Sequence, residues 1–129
     1  TECAPLLVNA ILPKPADLMR LRVVVRAAEA WLLADTERIA RFLSVSTSRI
    51  PSDPEAEPDP KATLVNIARR SRRRGIREDM VPTPSGSRRV GPGYEARLIE
   101  FLSDEDGGWR PGIAAARSES LRRCFDALS

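Results

Sequence analysis

The sequence predicts a helix-rich α/β domain, with one main buried strand drawn from a parallel sheet and about five to six helices. Two observations carry this. Most of the chain repeats apolar residues at i, i+3, i+4 and i+7, the period of a helix with one buried face. The run from Leu21 to Val25, with Val23 and Val24 between, is instead β-branched and apolar on both faces, which suits a strand covered on both sides. A lone strand leaves N–H and C=O groups unpaired at high cost, so its neighbours must come from elsewhere. A partner chain, sequence upstream of Thr1, or weak strands would supply them; Val45 to Ile50 is a poor candidate for the last.

The other elements follow in order. Cys3, Leu7, Ala10 and Ile11 mark a first helix to about Leu12, ended by Pro13-Lys14-Pro15. Beyond the strand, the pattern turns helical from Ala27 through Leu33. Asp35 reads as an N-cap for a second stripe of Ile39, Ala40, Phe42 and Leu43. Ser52 to Pro60 is a proline-rich linker, and Asp59-Pro60 is a strong helix start, a capping acid followed by Pro at the first helical position. Leu64, Ile67, Ala68 and Ser71 face inward from there, with Arg69, Arg70, Arg73 and Arg77 opposite. Pro82 to Gly93 is a second flexible loop. Tyr94, Leu98, Phe101 and Leu102 stripe another helix, Asp104 to Gly108 turns, Pro111 opens a helix through Arg117, and Ser118 caps the last one.

Composition bounds the chemistry. The chain has 129 residues, 42% hydrophobic and 30% charged, the balance of one globular domain. Histidine is absent, so there is no Ser-His-Asp triad, no Cys-His pair and no His-ligated metal. Cys3 and Cys124, near opposite ends, make no metal-site spacing and read as buried thiols in a reducing, cytoplasmic setting, a terminal bridge between them being the alternative. No apolar run reaches the roughly 20 residues a membrane helix needs. The net charge is +3, unevenly spread. Asp53, Glu55, Glu57 and Asp59 form an acidic stretch; Arg69, Arg70, Arg72, Arg73, Arg74 and Arg77 form a basic one. Such a cluster is either a phosphate-backbone contact or a solvated helix face.

Four segments resemble, in order, a bacterial family known as domain-of-unknown-function family 4276. They are Arg26-Ala27-Ala28-Glu29-Ala30-Trp31-Leu32-Leu33-Ala34-Asp35; Asp59-Pro60-Lys61 leading to Ala68-Arg69-Arg70-Ser71; Arg88-Arg89-Val90-Gly91-Pro92-Gly93-Tyr94; and Trp109-Arg110-Pro111 followed by Ala115 to Leu121. Members of that family look Toprim-like. The resemblance implies a small parallel α/β domain that holds Mg²⁺ on acidic residues for phosphodiester chemistry, an AAA-type ATPase partner and a role in bacterial defence. The early Glu and the Asp-x-Asp of a Toprim site are missing, and the chain does not begin with Met. The expectation is therefore the C-terminal portion of a larger protein, inactive alone, with the unpaired strand free to form a homodimer.

The candidate site residues follow. Glu29 and Asp35 are the acidic candidates for catalysis and for Mg²⁺. On one continuous helix they lie about 120° apart, so they converge only if the helix breaks near Ala34. The competing readings pair Glu29 with Arg26 and make Asp35 a cap. Arg69, Arg70, Arg73, Arg88 and Arg89 are the phosphate-binding candidates. The Ser85–Gly93 loop is either a cradle whose glycines free backbone N–H groups or a plain surface loop. Trp31 and Trp109 either stack bases or anchor the core. The alternative to a nuclease-type protein acting on nucleic acid is a non-enzymatic module docking on a partner.

Overall fold

The computed structural model describes residues 29–128, and every regular element in that span is helical. The α-helices are α1 (Glu29–Leu33), α2 (Thr36–Leu43), α3 (Pro60–Ala68), α4 (Arg74–Met80), α5 (Tyr94–Ser103), α6 (Pro111–Arg117) and α7 (Glu119–Leu128). Two 3₁₀ turns, Thr47–Arg49 and Pro54–Ala56, lie between α2 and α3.

This corrects the expected fold class. Among the described residues there is no strand and hence no parallel sheet, and their architecture is helix on helix. Apolar stripes that would have covered a sheet meet one another instead. α1 packs against α3, α6 and the Pro54–Ala56 turn, while α4 packs on α3 and α5. The core joins Leu32, Leu33, Ile39, Leu43, Leu64, Ile76, Met80, Leu98, Phe101 and Leu121, all essentially inaccessible to water. Each such side chain contributes roughly 1.5–3 kcal/mol by leaving solvent. The Phe42 and Phe101 rings sit 5.0 Å apart, tilted by 39°, and tie α2 to α5. Val45–Ile50 is loop and 3₁₀ turn. The Leu21–Val25 strand, the dimer edge expected of it, the first helix and Cys3 all lie outside the described residues.

Local rules place most boundaries. Asp59 accepts from the Ala62 N–H at 3.1 Å and Pro60 takes the first turn of α3. α6 begins at Pro111, and Ser118 precedes α7 with its Oγ accepting from the Leu121 N–H at 3.4 Å. α2 ends at Ser44 in the left-handed region (φ 55°, ψ 52°), where its N–H reaches back to the α2 carbonyls and the Val45 N–H donates to Ala40 O at 3.0 Å. Gly108 has no room for a side chain: a Cβ there would run into the Phe101 and Asp104 carbonyls.

The basic segment is not one helix. α3 stops at Ala68 because Ser71 Oγ accepts from the Arg73 N–H at 3.0 Å, and the Arg72 N–H crosses to Ser44 O at 3.1 Å. The hydroxyl thus competes with the helical ladder for a backbone donor. The expected inward face (Leu64, Ile67, Ala68, Ser71) is buried even so. Among the described residues no helix is long and apolar enough to cross a membrane.

Candidate nucleic-acid interface

The four sequence segments come together pairwise. Trp31 and Asp35 from the first meet Trp109 and Arg110 from the fourth. The Trp109 indole N–H donates to Trp31 O at 3.0 Å, and the Trp31 indole N–H donates to Ser120 Oγ at 2.8 Å. Trp109 is buried and Trp31 half-buried, so both serve as anchors rather than as open stacking platforms.

Asp35 stands at the N-cap position of α2, yet its carboxylate caps nothing. Its side chain is wholly buried and accepts three bonds from Arg110: backbone N–H at 2.9 Å, Nε at 3.0 Å and Nη2 at 2.6 Å. Glu37 extends the network, accepting from Arg110 Nη2 at 3.1 Å and from Arg117 Nη1 at 2.9 Å. The Arg117 bond holds the Glu37 carboxyl below its ordinary value. A carboxylate clasped this way offers no free face to a hydrated Mg²⁺, which keeps several waters and needs open oxygens.

Glu29, the other acidic candidate, is 4% exposed. The Tyr94 hydroxyl donates to its Oε1 at a long 3.4 Å. Burial is the main cause that pushes its carboxyl up to about 7, against smaller opposing effects that include the charge of Lys61. Burial, and then the neighbouring Glu29, push the Tyr94 hydroxyl well above the ordinary phenol value. Asp59 and Arg89, an ion pair, belong to the same surroundings. The first three segments therefore converge here through Glu29, Asp59, Lys61, Arg89 and Tyr94. With histidine absent, the sequence leaves acid–base work to carboxylates, Lys61, Lys14 or Tyr94, but it gives no sign that Asp59, Lys61 and Tyr94 share surroundings with Glu29. Glu29 and Asp35 sit in separate networks. Among the described residues no group of three or more Cys, Asp or Glu side chains is arranged to hold a metal ion.

The glycine loop is tied down. Gly91 and Gly93 donate their N–H groups to Met80 O at 3.0 Å and Asp79 O at 2.8 Å, and Gly86 donates to Thr83 O at 3.0 Å. Those three glycine donors are spent inside the fold and are not available to a phosphate. Of its two arginines, Arg89 is committed to Asp59, while Arg88 is exposed and has no acidic partner among the described residues.

The remaining arginines separate into two groups. Arg74, Arg97, Arg110, Arg117 and Arg123 pair with carboxylates. Arg38, Arg41, Arg73, Arg77 and Arg122 make no ion pair with a carboxylate among the described residues, Arg38 and Arg77 donating to backbone carbonyls instead, and neither do Arg49, Arg69, Arg70 and Arg72, all four of them exposed. They lie where the end of α3 meets the Ser44–Ile50 loop: Arg72 is fixed by its bond to Ser44 O, and Arg49 and Arg70 line one cleft. Arg73 turns to another side, sharing a cleft with Phe42, Glu100 and Asp104. No family model, no curated protein and no solved structure matches this chain.

Proposed function

We propose that this chain is a helical module that binds the phosphodiester backbone of nucleic acid, through the surface formed by Arg49, Arg69, Arg70 and Arg72. The observation that carries this reading is a cluster: Arg49, Arg69, Arg70 and Arg72 are exposed, have no carboxylate partner among the described residues, and gather where the end of α3 meets the Thr47–Arg49 turn, so together they are disposed to recruit an external anion. Arginine's planar fork suits phosphate oxygens. The reading assigns backbone contact to this chain and no hydrolytic step to Glu29 or Asp35. Asp35 is engaged by Arg110, and Glu29 is shielded from solvent.

Fluorescence anisotropy with a labelled duplex oligonucleotide, repeated across salt concentrations, tests it. Four phosphate contacts give a slope of log affinity against log salt of about −3 to −4. Replacing Arg69, Arg70 and Arg72 together by Gln leaves a slope nearer −1. Absence of binding at low salt, or a slope indifferent to the triple replacement, removes the reading.

A further inference from the structure

We propose that the cleft between the Thr47–Arg49 turn and α3 is a subsite for one nucleotide unit, taking the phosphate at Arg49 and Arg70 and the nucleoside against Ile67 and Asn66. The inference rests on the nucleic-acid reading above and makes it specific. The cleft has a volume of about 350 Å³ and is lined by Arg49, Glu57, Thr63, Asn66, Ile67 and Arg70. That is within the range of small-molecule clefts, about 300–1,000 Å³.

Its chemistry is of mixed sign, which decides between ligands. Two guanidinium groups from different elements face one opening, and neither is neutralised among the described residues. The same cleft holds a carboxylate: the Thr63 hydroxyl shares its one proton between Glu57 Oε1 at 2.8 Å and Asp59 O at 3.2 Å. A bare inorganic phosphate on the arginines gains from their charge and loses by repulsion from Glu57. A nucleotide turns the same carboxylate to use, because its sugar hydroxyls and exocyclic amines are donors and Glu57 is an acceptor. Ile67, a buried member of the lining, is the apolar contact for a base. Asn66 is exposed and carries both donor and acceptor on one amide, so it meets the edge of any base without selecting one.

The test uses the full chain at low salt, titrated in parallel with adenosine 5′-monophosphate and inorganic phosphate and followed by amide chemical shifts at Asn66, Ile67 and Arg70. The nucleotide saturates, and phosphate binds about ten-fold more weakly. The Arg49→Ala/Arg70→Ala double variant loses at least about ten-fold in nucleotide affinity. Glu57→Gln keeps an acceptor for Thr63 and removes the charge, so it moves the two ligands in opposite directions, phosphate tighter and nucleotide weaker. A purely structural role for Glu57 would shift both alike. Phosphate binding as tightly as nucleotide, or oligonucleotide binding with no response to the mononucleotide, overturns the subsite and leaves the surface reading intact. Loss of oligonucleotide binding as well overturns both.

Discussion

Arg110 holds Asp35 with its backbone N–H and with the Nε and Nη2 of its guanidinium, across 75 residues of sequence. The acid is wholly buried and the base 36% exposed, so the pair is a plug at the surface end of the core. Replacing Arg110 by Ala strands a carboxylate in a place it cannot leave. Breaking a fully buried pair costs about 3–5 kcal/mol; with Arg110 partly wet, the expected loss is at the low end, about 3 kcal/mol. Urea unfolding reads it directly. A shift in midpoint equivalent to less than about 1 kcal/mol would place the pair with ordinary surface bridges.

Glu29 makes stability fall as pH rises. Its folded value, about 7, lies above the 4.5 of an unconstrained Glu, so the folded state holds the proton that the unfolded chain has released. Between those two values the folded form binds more protons, and stability declines with pH across that window. The stabilisation is complete below about 4.5 and exhausted above about 7, with a total span on the order of 3 kcal/mol. Urea midpoints for Glu29→Gln should be flatter across this window than those of the parent chain. Parallel profiles for the two proteins would show that Glu29 carries no proton into the fold.

Ser44 is the only non-glycine residue with positive φ among the described residues. A side chain there bears a steric cost that glycine avoids, partly offset by the greater freedom glycine brings to the unfolded chain. Ser44→Gly is expected to raise stability by about 0.5–1 kcal/mol, and Ser44→Val to lower it by about 1–2 kcal/mol. Thermal melting of the two variants checks the pair; a Val variant as stable as the parent would mean that α2 ends in some other conformation.

Much of the helical layout was legible because its causes are local. Asp59 with Pro60, Pro111, and Ser118 each act within one turn of their own position, and all three start helices where the sequence indicates. The end of α3 was not legible, since Ser71 and Ser44 together divert the backbone donors of Arg73 and Arg72, and Ser44 is remote in sequence. Asp35 shows the same limit. Its position at the start of α2 follows from the pattern, whereas its use by Arg110 depends on a partner brought in by the fold. The glycines of the 82–93 loop suggested free N–H groups, and the fold consumes them at Asp79 and Met80. The expectation of a sheet rested on the Leu21–Val25 run, which lies outside the described residues, and the stripes within them pack helix on helix. The site was legible in part: Arg69 and Arg70 were among the arginines singled out, whereas Arg49 and Asn66 carry no pattern of their own and acquire a role only through the cleft they share.

Glu55 has a further consequence for mechanical behaviour. One oxygen of that carboxylate receives the Ser118 hydroxyl, the Ser120 hydroxyl at 2.6 Å and the Ser120 N–H at 3.0 Å, and Ser120 in turn receives the Trp31 indole. The proline-rich stretch from Ser52 to Pro60, a tether by composition, is thereby riveted to α1 and the start of α7. The stretch thereby joins both helices through one carboxylate, and lengthening it is expected to loosen both ends at once.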